Sequence, residues 1–471
     1  MITGAPTTPF DYGAVGDGVA DDTAAISAML NSGKSVYVPD GEFLITSPIS
    51  STVSDISIYC DGFFVFDWAS IGAAHAITLS GDNLSTRLYA KALSSAYVLT
   101  NKVTLASYAC FKFTGNNCDS SYGKSYNNPI FLLAQFTPTP NNFSASHNYG
   151  YSVIDGSVLD AIVFNLIQVD DGAFCDLDSN SGYGFGQGIL IGSTTNEVVV
   201  TNNNFWDCSN ASVYVSSCDK GTIHNNTARG INTDIKARGA DISMVGNSVF
   251  GGVLACTNRV VDVGNGYGIN SAQIMGNTVI SEGSNAYAIS CVNNTGDNCA
   301  AGTISVKSNT VLIRGSGVYG IFVSFLSMDA VSIVGNSINT EVGMTLTDGI
   351  LVTPTTTNDP TLLNNMVIAN NVVIGSMAQG IQANGASMII SGNNLDVTGG
   401  SGASSGAILV SGEKMCITGN VASVSNNVQV MKLYANASSL AMGNTLTRAS
   451  GSVLAHIYSE VALVIDTNVK V

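Results

Sequence analysis

The stretches SMVGNSV (243–249), QIMGNTV (273–279), SVKSNTV (305–311) and SIVGNSI (332–338) are one phrase written four times: apolar-x-apolar-x-Gly/Asn-Asn-x-apolar. The same phrase lies upstream as VVVTNNNF (198–205) and TIHNNT (222–227), and downstream as VIANNVV (367–373), IISGNNL (389–395), CITGNVA (416–422) and LAMGNTL (440–446). Its asparagines are Asn203, Asn226, Asn247, Asn277, Asn309, Asn336, Asn371, Asn393, Asn420 and Asn444. They are spaced by 23, 21, 30, 32, 27, 35, 22, 27 and 24 residues, so the motif is constant while the loops between copies stretch. A fixed motif at an elastic interval is one turn of a solenoid.

Between these motifs lies a second strand, read in GILIG (188–192), GIFVS (320–324), DGILV (348–352), QGIQA (379–383) and GAILV (406–410), so each turn holds at least two short strands. Alternate apolar residues point into a shared core and the polar ones point out. Turns stacked ~4.8 Å apart place equivalent residues in columns. The asparagine column then has two physical reasons: Asn tolerates the left-handed backbone of a sharp bend, and stacked side-chain amides bond along the column. These asparagines are architecture rather than catalysis.

Composition agrees with strands and turns. Of 471 residues, 45% are hydrophobic and 11% charged, with 50 glycines and only six glutamates, too few for a helical protein of this length. Seventeen Lys and Arg against 33 Asp and Glu give a net charge of −16 without a basic run, which argues against a nucleic-acid partner. No run approaches the ~20 apolar residues of a membrane span, and the opening MITGAPTTPFDYG has no signal-peptide pattern. Ten cysteines without a Cys-x-x-Cys pair and four scattered histidines point to no metal and no cofactor. Cys110/Cys118 and Cys291/Cys299 are spaced to close small loops, but buried reduced thiols are the simpler expectation.

A solenoid end needs a cover. Asp21 and Asp22 precede TAAISAMLNSGK, whose Ala25, Ile26, Met29 and Leu30 recur at helical spacing, predicting one amphipathic capping helix. SVYVPDGEFLIT follows as two strands about a Pro-Asp-Gly turn. FDYGAVGDGVADDTAAISAML (10–30) with VYVPDGEFLI (36–45) resembles the opening of the pectate-lyase-type right-handed parallel β-helix family, in the form found in bacteriophage tailspikes. Taken with the repeats, the resemblance extends over nearly the whole chain. The fold expected is all-β: a right-handed single-stranded parallel β-helix with a short N-terminal capping α-helix. The cap is expected at 1–50, irregular first rungs with insertions at 51–180, and regular rungs from 181 to 471.

The resemblance implies a homotrimer acting on carbohydrate, without implying a particular reaction. It points to a phage tailspike that binds and cuts a bacterial surface polysaccharide, O-antigen or capsule. Such a spike is made in the host cytoplasm, carried on the virion tail and joined to tail or baseplate proteins. With nine residues before FDYG and 27 after Asn444, the expectation is a fragment of a longer spike or attachment through a partner.

Polysaccharide cleavage without a metal uses paired carboxylates. NTVISEGSNAYAIS (277–290), NTVLIRGSGVYGIF (309–322) and NSINTEVGMTLTDGIL (336–351) align to put Glu282, Arg314 and Glu341 in one column. Two rung steps, on the order of 9.6 Å, would suit inversion. A surface salt-bridge ladder is the plainer reading of the same column. A second column, Tyr287, Tyr319, Asp348 and Gln379, flanks these loops and reads as a sugar groove, or as stacked packing aromatics. Candidate catalytic residues are therefore Glu282, Glu341 and Asp348. Candidate substrate-binding residues are Arg314, Tyr287, Tyr319 and Gln379, with Trp206 and Asp207 ranked lower.

Asp234, Lys236, Arg238 and Asp241 read as a solvated charged bend. Gly402–Gly406 matches the nucleophile-elbow pattern without its helix or histidine, and GYGFGQG (182–188) is a glycine-rich bend. Glycoside hydrolysis leads, a lyase using Lys307, Arg314 and Tyr319 comes second, and a non-catalytic glycan-binding spike is the reading from a different class.

Overall fold

The computed structural model describes residues 5–71, 75–93, 109–126, 134–136, 142–151, 165–169, 172–192, 195–231, 233–257, 268–282, 287–292, 300–316, 319–354, 363–399, 405–425, 429–435, 439–448, 455–459, 463–466 and 469–470. It is a right-handed parallel β-helix. The chain divides into two compact units, residues 1–222 with 226–234, and residues 223–225 with 235–471.

Each rung of the second unit has three strands, one more than the two counted from sequence. Ile269–Met275, Thr278–Ser281 and Tyr287–Val292 pair in parallel with Ala300–Lys307, Thr310–Ile313 and Tyr319–Phe325 of the next rung. Apolar residues stack in register: Ile289, Ile321, Ile350, Ile381 and Ile408 form one buried column. Ile274, Val306, Ile333, Ile368, Ile390 and Ile417 form another. β-branched side chains suit this pleated stack because their few rotamers interdigitate from rung to rung.

The asparagine ladder is present and buried. Asn277 donates its backbone N–H to Asn309 Oδ1 at 2.9 Å, and its side-chain amide to the same oxygen at 2.9 Å and to the Met244 carbonyl at 3.0 Å. Asn309 repeats the pattern onto Asn336, and Asn336 onto Asn371. Every polar atom of such an amide is thus satisfied in a dry interior.

The left-handed bend residue, however, is the one before each ladder asparagine. Asn202, Asn225, Gly246, Gly276, Ser308, Gly335, Asn370, Gly392, Gly419 and Gly443 all have φ between 55° and 68°. The phrase therefore divides its labour: Gly, Asn or Ser turns the chain, and the following Asn ties the rungs.

In the first unit the helix Thr23–Leu30 buries Ala25, Ile26, Met29 and Leu30 as predicted. Asp21 Oδ1 accepts the Thr23 N–H at 3.0 Å, while buried Asp22 accepts the N–H groups of Val15 and Gly16 at 2.7 and 3.0 Å. One acid caps the helix and the other folds the preceding FDYGAVG loop beneath it. Phe64, Phe66 and Phe111 pack edge-on in the core with ring centroids 5.8 Å apart. The ladder also runs here, through Asn148, Asn180, Asn203 and Asn226. The first two lie in the stretch read from sequence as irregular. Their bend residues are His147 and Ser179, neither of which completes the Gly/Asn-Asn phrase.

Cys60, Cys110, Cys118, Cys175, Cys208, Cys218, Cys256 and Cys291 are buried free thiols, so Cys110 and Cys118 close no loop, and Cys299 lies outside the described residues. Asp234, Lys236, Arg238 and Asp241 are not a bend. They lie along the continuous strand Asp234–Val245, which the following rungs hold extended. Residues 402–404 of the elbow-like sequence lie outside the described residues. No helix among the described residues is long and apolar enough to cross a membrane.

Candidate active site

Register in the second unit brings both predicted columns into being. Thr278–Ser281 pairs with Thr310–Ile313, and Thr310–Ile313 with Ser337–Thr340. The next residue in each rung is Glu282, Arg314 or Glu341. Arg314 N–H bonds the Ser281 carbonyl at 2.8 Å, and Glu341 N–H the Ile313 carbonyl at 2.9 Å, carrying the alignment past the strand ends. Arg314 Nη1 lies 3.0 Å from Glu282 Oε1, and its Nε 3.7 Å from Glu341 Oε2. All three side chains are between a third and about half exposed. In water these pairs contribute little to stability, about 0–1 kcal/mol. Their effect is positional: one cation gathers two carboxylates on one face.

The second column is also in register. Tyr287 pairs with Tyr319, Ile321 with Ile350, and Asp348 with Gln379. Tyr287 and Tyr319 are half-buried and flank Phe322, which stacks on Tyr319 at 5.1 Å and 24°. Phe322 was missed from sequence because it sits in the apolar run GIFVS, indistinguishable there from a core position.

A glycine column fixes this strip in place. Gly320, Gly349 and Gly380 follow Tyr319, Asp348 and Gln379, and each lies against the next rung. A Cβ on Gly320 would meet the Gly349 carbonyl oxygen at 2.5 Å, one on Gly349 the Gly380 oxygen at 2.6 Å, and one on Gly380 the Ala407 oxygen at 2.6 Å.

Asp348 differs from its neighbours. It is 3% exposed, and its Oδ1 has no hydrogen-bond partner. Burial pushes its carboxyl up to about 7, so near neutrality about half of it still carries a proton to give. Beside it, the loop after Thr340 exposes Glu341 and leaves Val342 98% exposed. A carboxyl raised by burial, on the rung that also carries Glu341, supplies one of the two roles that glycoside cleavage uses.

Trp206 and Asp207 belong to the first unit. Trp206 is half-buried and in register with Tyr183 and Arg229; Asp207 is an exposed bend residue at φ 48°. They share no rung with Glu282, Arg314, Glu341 or Asp348. The lyase set is dispersed as well. Lys307 ends the strand Ala300–Lys307, Arg314 follows Thr310–Ile313 and is held by two carboxylates, and Tyr319 opens Tyr319–Phe325. Among the described residues no three His, Cys, Asp or Glu side chains gather in a way that would hold a metal ion.

Residues 10–211 match the family described as "Rhamnogalacturonase A/epimerase, pectate lyase-like". Over these residues the chain is similar to that pectate-lyase-like family. No curated protein sequence matches it. Among solved structures, the β-helix is similar to the catalytic unit of a GH87 alpha-1,3-glucanase from Streptomyces thermodiastaticus, at 12% identity over 97% of this chain and 68% of that one, with a TM-score of 0.31. It is similar to pre-mature bacteriophage phi29 gene product 12 at 14% identity over 98% and 73%, TM-score 0.40. The surface protein and adhesin PfbA of Streptococcus pneumoniae gives 14% over 98% and 99%, TM-score 0.25.

Proposed function

We propose that this β-helix is a tailspike-type depolymerase that hydrolyses glycosidic bonds of a bacterial surface polysaccharide. The observation that carries the reading is Asp348: a buried carboxyl pushed up to about 7, in register between Tyr319 and Gln379, on rungs whose neighbouring column presents Glu282 and Glu341. In this account Asp348 protonates the departing oxygen. Glu341, positioned by Arg314, takes the proton of the attacking water. Glu282 and Arg314 bind sugar hydroxyls, and Tyr287, Tyr319 and Phe322 present ring faces to the apolar faces of the sugars. The match of residues 10–211 to a family named for rhamnogalacturonase and epimerase supports carbohydrate as the substrate class.

A glycan-binding spike without chemistry is the second reading. It is favoured by Arg314, which bridges Glu282 and Glu341 as a structural ion-pair ladder would. Incubating the protein with purified capsular and O-antigen polysaccharides separates the classes. New reducing ends without absorbance at 235 nm mark a hydrolase, and reducing ends with that absorbance mark a lyase. A polymer that is bound and left whole marks the binder.

A further inference from the structure

The first unit contains a cavity of about 690 Å³ that uses no residue of the columns above. Its wall is a product of register. Tyr59 pairs with Arg87 in the next rung, Tyr89 with Lys124, and Lys124 with Tyr149, so cations and aromatic rings alternate along the stack. The Arg87 guanidinium lies 4.6 Å from the Tyr59 ring centre and 4.9 Å from that of Tyr89. It also donates to both tyrosine hydroxyls and stands 3.4 Å from Asp61. Lys124 Nζ lies 4.6 Å from the Tyr89 ring centre and pairs with no carboxylate among the described residues. The one acid in the lining, Asp119, is occupied by the hydroxyls of Ser121 and Ser144, each at 2.8 Å. In a chain of net charge −16, this concave aromatic surface carries two cations, Arg87 offset by Asp61 and Lys124 without a carboxylate partner among the described residues.

The rim of this cavity carries a second, independent sign of a ligand. Tyr122 and His147 occupy the left-handed bend position, each at φ 55°, and their rings stack at 4.7 Å and 13°. In the second unit that position is Gly246, Gly276, Gly335, Gly392, Gly419, Gly443, Ser308 or Asn370. A bulky aromatic there crowds its Cβ against the backbone, and Tyr122, 58% exposed, gains little burial in return. Strain of this kind, offset only by the stack on His147, clusters at surfaces that bind. The same strand face continues through Tyr183 to Trp206, four rung steps or ~19 Å from Tyr89.

We infer that this face of the first unit is a second carbohydrate site and that it takes a negatively charged sugar. The anionic group, carboxylate or phosphate, sits between Arg87 and Lys124. Sugar rings stack on Tyr122 and Tyr149, and the chain runs on toward Trp206. The site would grip a charged polymer independently of the carboxylates that cut.

Calorimetric titration of the full chain tests this with three probes: a hyaluronan tetrasaccharide, its carboxyl-reduced neutral form, and a glycerol-phosphate oligomer. The expected result is binding of one or both charged probes and at least tenfold weaker binding of the neutral form. Lys124→Met should weaken the charged probe about tenfold. Tyr122→Gly should weaken it too while raising Tm, since glycine relieves the bend. Binding of the tetrasaccharide alone would identify a carboxylate as the anion, and of the oligomer alone a phosphate. The inference is overturned if neither charged probe binds, if the neutral form binds equally well, if both variants bind as wild type, or if Tyr122→Gly lowers Tm.

Discussion

Asp348 and Gln379 are partners on adjacent rungs, and each is followed by a glycine whose α-carbon lies against the backbone of the next turn. The column that carries the acid is therefore held by contacts in which there is no room for a methyl group. Gly349→Ala would place a Cβ 2.4 Å from Val373 Cγ1 and 2.6 Å from the Gly380 oxygen. Overpacking of this sort costs about 1–3 kcal/mol. Chemical denaturation should show that loss, and polymer cleavage should fall further than stability because Asp348 moves with the strand.

The raised carboxyl of Asp348 makes stability depend on pH with a definite sign. Its folded value of about 7 lies above the ordinary aspartate value of 3.8, so between those limits the folded protein holds more protons than the unfolded chain. Stability from this group is therefore greatest below pH 4, falls as pH rises through 4–7, and is flat above. The full swing is up to roughly 4 kcal/mol, from the 1.36 kcal/mol carried by each pH unit. Asp348→Asn cannot ionise, and its stability measured from pH 4 to 8 should lack this slope.

The ladder makes a sharper demand on its residues than the bend. Asn309→Ala removes the acceptor of the Asn277 N–H and side-chain amide and the donor to the Ile274 carbonyl, all buried. With about 1–3 kcal/mol for each buried group left unsatisfied, a loss of at least ~3 kcal/mol is expected in denaturant titration. Asn309→Asp keeps the acceptor but loses the donor, and should fall between Ala and wild type at a pH where the carboxylate is neutral.

At the bend itself the backbone angle, not space, sets the cost. Gly276 has φ 63° and an added Cβ would meet nothing within 4 Å. Gly276→Asn, the residue used at Asn202, Asn225 and Asn370, should cost a few tenths of a kcal/mol, whereas Gly276→Val should cost at least ~1–2 kcal/mol. Thermal melts of the two variants distinguish them.

These ladders also show what was legible in the sequence. The repeat fixed which residues align: the offsets from Asn277 to Asn309 to Asn336 place Glu282, Arg314 and Glu341 in one column without any structure, and the same counting places Tyr287 beside Tyr319 and Asp348 beside Gln379. Burial along a column was not legible. Asp348 is 3% exposed and Glu341 about half exposed, a difference that the repeat does not encode. The left-handed role was assigned one residue late, since Asn favours both the bend and the ladder. Asn148 and Asn180 escaped because His147 and Ser179 replace the usual bend residues. The cavity around Arg87 and Lys124 was hidden for the opposite reason: its side chains come from several rungs that share no phrase.

The central claim is that Asp348 is the acid of a glycoside hydrolase. Its most direct test is the rate of reducing-end release from a cleaved host polysaccharide, measured from pH 5 to 9 for wild type and Asp348→Asn. A wild-type rate that falls above pH 7, with Asp348→Asn slower by at least 10²-fold and without that limb, is the predicted result. A variant that cuts at the wild-type rate with the same pH profile would contradict the account.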